Sequence, residues 1–508
     1  MLEAELTPDV CQRAVRARDP RFDGVFFVAI TSTGVYCRPV CPARVTHPER
    51  RRFFPSAAAA EHAGYRPCLR CRPELAPGRA LCDAVSRLAD AAAQRIAAGA
   101  LNGRSVGELA RDLCVGERHL RRALERQLGV SPLELAQTHR LLLAKRLLAD
   151  TDLPITRIAF ASGFQSLRRF NSVFRERYRM PPNALRRARR APRTWLRGEE
   201  HDLLQLTLSY RPPLAWDALL SWLGEEAIAG VEVIEGRRYG RTIRMQGASG
   251  VVFAEDAARD EQMQHDGFGR NAYLRIAVSS SLLPALMPLL AKLRQLFDLD
   301  AQPTAIDSHL SQGGLGKLAR LRAGLRIPGA LDGFDAALRV LLSDHMQRGR
   351  TGTLIARRLT QVLGEVVSTG FPGLTHLPPG AERIAEAGVA PLTALAIPDR
   401  RAAAIVAVAR AVAEGRLQLE PGCDSEATRG ALAELGVDDR SATMIVLRAL
   451  HWPDAFPAED RELQLSSGAC NERALLEMSE RWRPWRAYAA LHLWRTLEMP
   501  LAESGHRT

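Results

Sequence analysis

The chain has 508 residues, 46 % of them apolar, nine cysteines and a formal net charge of +13. That length is too great for one hydrophobic core and predicts three or four domains. No uninterrupted apolar run of about 18 residues occurs, and the opening "MLEAELTPDV" lacks an apolar signal region, which argues against a membrane protein and for the cytoplasm.

Charge is segregated along the chain. Residues 1–200 hold 36 Lys+Arg against 20 Asp+Glu, and residues 201–508 hold 34 against 37, so the whole excess lies in front. A basic surface of this kind, almost all arginine, is the electrostatic footprint expected for phosphate backbones, and double-stranded DNA is the expected partner. Nothing in the sequence demands an oligomer, so a monomer is expected.

The first distinctive segment is "GVYCRPVCPARVTHPERRRFFPSAAAAEHAGYRPCLRCRP". Three residues separate Cys37 from Cys41, two separate Cys68 from Cys71, and 26 lie between the pairs. That is the spacing of a four-thiolate zinc site. The other five cysteines, Cys11, Cys82, Cys114, Cys423 and Cys470, are scattered singly, as in a reducing compartment. One reading makes the zinc purely structural. The other makes one sulfur a metal-activated nucleophile facing an electrophile.

Next, "ALCDAVSRLADAAAQRIAAGA" (80–100) reads as a connecting helix, and Ser105 as an N-cap. "SVGELARDLCVGERHLRRALERQLGVSP" then places Val106, Leu109, Ala110 and Leu113 on one helix face, turns at Gly116, and carries Leu120, Leu124 and Leu128 inward on a second helix. The pattern recurs about 50 residues later in "PITRIAFASGFQSLRRFNSVFRERYRMPP", with a turn at Gly163. These are two helix-turn-helix units, or else plain helical hairpins with solvated basic faces. In the former reading, the first turns of each second helix reach base edges. Arg118, His119, Arg121, Arg122, Gln165, Ser166, Arg168 and Arg169 are the candidates.

From Leu203 the composition changes. "LLQLTLSY", "YGRTIRM", "SGVVFAE" and "AYLRIAV" alternate as strands, while "AWDALLSWLGEEA" and "SLLPALMPLLAKLRQLFDL" read as helices, giving a small α+β domain. After residue 300 the pattern is helical with Pro/Gly breaks. The expected class is therefore multidomain α+β: a small zinc-bound domain (1–78), an all-α double helix-turn-helix domain (79–190), a linker (191–202), a small antiparallel β/α domain (203–300) and an all-α bundle (301–505).

Three resemblances follow from these motifs. "ARDPRFDGVFFVAITSTGVYCRPVCPAR" with "AAEHAGYRPCLRCRP" resembles the N-terminal domain of the Ada adaptive-response proteins, with all four cysteines matched. The resemblance implies that Cys37 accepts a methyl group from a DNA methylphosphotriester while one Zn²⁺ is held by Cys37, Cys41, Cys68 and Cys71. Losing a negative charge at sulfur should then raise DNA affinity. The "GFQSLRRFNSVFRERYRMPP" stretch resembles AraC-type regulators, which implies transcriptional activation with RNA polymerase as a partner.

"YRPPLAWDALLSWL" and "ERWRPWRAYAALHLWRT" resemble 3-methyladenine DNA glycosylases of the AlkA type in the helix-hairpin-helix superfamily. That implies base flipping and hydrolysis of the N-glycosidic bond with one carboxylate, which falls on Asp460 in "DAFPAEDRELQ". A plain helix N-cap is the other reading of Asp460. The family hairpin becomes "ELGVDDRSA" here: Gly436 is kept, but Asp438 and Asp439 stand where a phosphate should sit. Arg440 and Met444 replace aromatic pocket residues, Trp494 matches, and His345 or Met346 falls at the wedge. Trp482, Trp485 and Trp494 are equally readable as core. The alternative is a methylation-sensing regulator with a silent glycosylase fold. No Pro-Cys-His-Arg motif occurs, so repair of O6-methylguanine is not expected.

Overall fold

The computed structural model describes residues 6–43, 47–78, 87–187, 202–257, 272–343 and 350–496. The first helix, Pro8–Ala17, is capped by Thr7 and packs Cys11, Ala14 and Val15 inward. Beside it lies a four-stranded sheet in the order Arg51–Phe54, Phe27–Ile30, Val35–Cys37, Arg66–Pro67. The first three strands are antiparallel and the last pair is parallel, which brings the 66–71 segment alongside the end of Val35–Cys37. Ser56 caps Ala57–His62 and also donates its hydroxyl hydrogen to Leu128 O at 2.9 Å, tying this domain to the next.

Seven helices follow: Arg87–Ala97, Val106–Asp112, Glu117–Leu128, Pro132–Asp150, Ile155–Ala161, Leu167–Tyr178 and Pro182–Arg187. Ser105 and Ser131 form capping boxes with Glu108 and Glu134, which is why helices start at those points. Gly163 turns the second unit with φ +83°. A Cβ there would lie 2.4 Å from the Asn102 side chain, so only glycine fits. Of the expected 80–100 helix, residues 87–97 are helical, whereas 79–86 and the 191–201 part of the linker lie outside the described residues.

A five-stranded antiparallel sheet follows, in the order Leu203–Ser209, Tyr273–Ser279, Ala248–Asp256, Arg238–Met245, Glu232–Glu235. Leu204, Leu206 and Leu208 alternate inward against the helices Trp216–Glu225 and Leu286–Leu296. The same apolar cluster contains Phe170 and Phe174 of the second helix-turn-helix unit, so the two domains share a core. The rear bundle buries a core from Ala301 to Trp494, which Ile228 and Val231 of the sheet domain join. It also holds a two-stranded ribbon, Glu365–Val366 with His376–Leu377, where the sequence pattern predicts helices alone. Two residues per strand are too few to show alternation. Among the described residues, no helix is long and apolar enough to cross a membrane.

Candidate metal centre and DNA-repair site

The parallel strand pair delivers the first cysteine of each pair to one place. The sulfurs of Cys37, Cys41, Cys68 and Cys71 all lie within 4.8 Å of one another, and no other group of three or more potential ligands does so among the described residues. Backbone amides complete the cradle: Arg38 N–H donates to Cys71 Sγ and Arg70 N–H to Cys68 Sγ, both at 3.4 Å. Without a cation this grouping is costly. Hydrogen bonding within the cluster, led by Cys41, drives the Cys37 thiol upward, and bonding led by Cys37 pulls Cys68 far down. Four soft donors competing for protons in a small buried space fit a divalent zinc ion. Cys37 is buried at 8 % exposure, whereas Cys41 is half-buried.

A buried ion pair supports the cradle. Arg38 is held by Asp23 through its Nε at 2.8 Å and a second guanidinium contact, and donates to Cys71 O at 3.3 Å. Asp23 and Arg38 carry no signal in the sequence beyond Arg38's place between two ligands.

Both helix-turn-helix units turn their basic faces outward. Arg118, His119 and Arg122 are exposed on Glu117–Leu128, and Gln165, Arg168 and Arg169 are exposed at the start of Leu167–Tyr178. Two candidates are otherwise occupied: Arg121 binds Glu117 at 2.6 Å, and the Ser166 hydroxyl caps its helix by accepting from Arg169 N at 3.4 Å.

In the rear bundle, helices Ser425–Glu434 and Asp439–Ala449 form a hairpin that turns at Gly436, whose φ is +86°. Asp438 points back as the cap of the second helix, accepting from Ser441 N at 2.9 Å, and Asp439 pairs with Arg429 at 2.5 Å. Both carboxylates are exposed, and each has a partner. Asp460 is buried and caps Arg461–Ser467, its Oδ1 accepting from Glu462 N at 2.8 Å and Leu463 N at 3.0 Å. Its Oδ2 accepts from Arg440.

Of the pocket candidates, Arg440 therefore meets Asp460, and Met444 lies one turn further along the same helix, half-buried against the core. Trp494 is buried with its ring centroid 5.9 Å from Trp222, a tryptophan that sequence reasoning passed over. Trp482 donates to Gly313 O at 3.0 Å and Trp485 stands edge-on to His309 at 5.0 Å, both inside the core. His345 and Met346 lie outside the described residues.

A four-thiol zinc domain, two outward-facing helix-turn-helix units and a sheet-plus-hairpin rear half define a multidomain DNA-binding repair protein. Residues 10–74 match the metal-binding domain of Ada, 109–188 a helix-turn-helix domain, and 205–332 the AlkA N-terminal domain. A probable bifunctional transcriptional activator/DNA repair enzyme AlkA of Mycobacterium tuberculosis is 36 % identical over 497 residues, covering 97 % of this chain and 97 % of its own. DNA-3-methyladenine glycosylase 2 of Escherichia coli is 32 % identical over 57 % of this chain and 96 % of its own. Among solved structures, a 3-methyladenine DNA glycosylase of Archaeoglobus fulgidus aligns with a TM-score of 0.47 and 16 % identity, over 58 % of this chain and 98 % of its own. The chain belongs to the family of bifunctional transcriptional activator/DNA repair enzymes typified by the mycobacterial protein.

Proposed function

We propose that this protein answers alkylation damage twice: Cys37 takes a methyl group from DNA methylphosphotriesters and so switches a transcriptional activator, while the rear half hydrolyses the glycosidic bond of alkylated bases. The observation that carries the reading is the four-sulfur cluster at the end of Val35–Cys37 in a chain matched over 97 % of its length by a bifunctional relative.

Cys37, Cys41, Cys68 and Cys71 would hold the zinc. When bound, it keeps the sulfurs as thiolates at neutral pH. The Cys37 sulfur attacks the methyl carbon; an S–C bond forms, the O–CH₃ bond breaks, and the phosphodiester leaves with the negative charge. Asp23 fixes Arg38 beside the cradle, which keeps the Cys71 carbonyl and amide contacts in place. Arg118, His119, Arg122, Gln165, Arg168 and Arg169 face the duplex, with Arg121 and Ser166 in supporting positions.

In the rear half, Asp460 stabilises the developing positive charge on the sugar and positions water. Trp494, Arg440 and Met444 border the flipped base, and Gly436 lets the hairpin backbone approach phosphate. We assign the protein to the cytoplasm as a monomer that recruits RNA polymerase, with the domain limits given above. One observation favours the regulator-only alternative: the Arg440 guanidinium covers the carboxylate of Asp460.

The acceptor assignment is tested by incubating the protein with duplex carrying a labelled methylphosphotriester and mapping the label. Label on Cys37, lost in Cys37→Ser, is expected, together with tighter operator binding by the methylated protein. Label on Cys41 instead would reject the assignment, since Cys41 is the more exposed of the two.

A further inference from the structure

Arg440 stands on the first turn of Asp439–Ala449 and reaches across to Oδ2 of Asp460. The other oxygen of Asp460 is fully used by the amides of Glu462 and Leu463, at 2.8 and 3.0 Å. The carboxylate side chain is 5 % exposed and the arginine side chain 22 % exposed, so the guanidinium is the outer member of the pair. Of the neighbouring acids, Asp439 is engaged by Arg429 and Asp438 by its own helix cap, while Glu459 feels the Arg440 charge. A base brought to Asp460 meets Arg440 on the way.

We propose that Arg440 sets the lesion class of the glycosylase, favouring electrically neutral damaged bases over cationic ones; this rests on the reading of Asp460 as the catalytic carboxylate. A purine alkylated at N3 or N7 carries a full positive charge in the nucleotide. A bare buried carboxylate would attract it strongly, because charge–charge interaction in a partly desolvated site is several-fold stronger than in water. Pairing with a guanidinium cancels that attraction. A neutral base has no such attraction to lose, and its flat ring can lie against the guanidinium plane.

The bond changes are the same for both classes and differ only in the proton. The C1′–N bond breaks with its electron pair going to the base, and a C1′–O bond forms to water. A cationic base departs neutral and the water proton goes to solvent, whereas a neutral base takes that proton as it leaves.

The test is single-turnover release of free base from duplexes containing 7-methylguanine, which is cationic, and hypoxanthine, which is neutral. Wild type is compared with Arg440→Gln, Arg440→Lys and Asp460→Asn. The ratio of the 7-methylguanine rate to the hypoxanthine rate should rise at least tenfold in Arg440→Gln and stay near wild type in Arg440→Lys, where the charge is kept. If both rates change by one common factor, Arg440 acts on Asp460 alone and the selectivity proposal fails. If Asp460→Asn releases base as fast as wild type, or no protein in the set releases any, the reading of Asp460 fails and takes the proposal with it.

Discussion

Tyr36, the residue before Cys37, donates its hydroxyl hydrogen to Glu61 at 3.1 Å, and the other oxygen of Glu61 accepts from Thr138 at 3.0 Å. Arg177, on the second helix of the rear helix-turn-helix unit, approaches the same carboxylate at 3.9 Å. The strand that ends in Cys37 is thus joined through one fully buried acid to two helices of the DNA-binding domain. Arg72 adds a second link, to Asp150 at 2.7 and 2.9 Å, and Lys145 a third, to Glu74.

That acid gives a pH prediction. Burial pushes the Glu61 carboxyl up to about 7, against the opposing pull of Arg177, Thr138, Tyr36 and Lys145. The folded state therefore holds the proton more tightly than the unfolded chain. The Glu61 contribution is full below about 4.5, declines as pH rises, and levels off above about 7, with a slope of at most about 1.4 kcal/mol per pH unit. Metal–thiolate bonding changes in the opposite sense, so the readout is the difference between wild type and Glu61→Gln. Thermal melts from pH 5 to 8 should show the variant losing this decline; parallel curves would contradict it.

Breaking the Asp23–Arg38 pair should be expensive. Both side chains are buried, at 7 and 9 % exposure, so Asp23→Ala strands a guanidinium without a counter-charge, at about 3–5 kcal/mol. Asp23→Ala combined with Arg38→Leu should recover part of that loss. Denaturant melts of the three variants in the presence of zinc measure it.

Removing zinc with a strong chelator should unfold the front domain and spare the rest. That domain's core is small, with Cys37, Cys68 and Cys71 themselves among its buried members, whereas the rear bundle has an extensive core of its own. Hydrogen exchange should report faster amides in residues 27–71 and unchanged ones in 399–494.

The two helix-turn-helix faces make unequal demands on their arginines. Arg118→Ala and Arg168→Ala should each weaken operator binding by about 1–3 kcal/mol and relax the base preference at the position read, as the loss of a base-edge contact does. Arg121→Ala should have a smaller effect, because Arg121 already spends its guanidinium on Glu117. Binding titrations against the operator and its single-base variants distinguish them.

Much of this architecture was legible in local pattern. Cysteine spacing marked the metal cluster, and the Ser105 and Gly163 signals placed the ends of the helix-turn-helix elements. Alternation in Leu203–Ser209 marked the sheet. What stayed hidden is set by packing between distant segments. The strand Glu232–Glu235 and the Glu365–Val366 ribbon are too short to show a period. The short helix Arg461–Ser467 is fixed by the Asp460 cap rather than by an apolar stripe. The partners Asp23–Arg38, Tyr36–Glu61 and Arg440–Asp460 lie 15, 25 and 20 residues apart, and no local rule joins them.

The most direct test of a protein with two chemistries in one chain is release of free base from duplex containing 3-methyladenine, comparing wild type with Asp460→Asn in preparations that still accept methyl at Cys37. Release by wild type is expected, with a loss of at least a hundredfold in rate in the variant. Methyl acceptance without any base release would contradict it, and would leave a methylation-sensing regulator with a silent glycosylase fold.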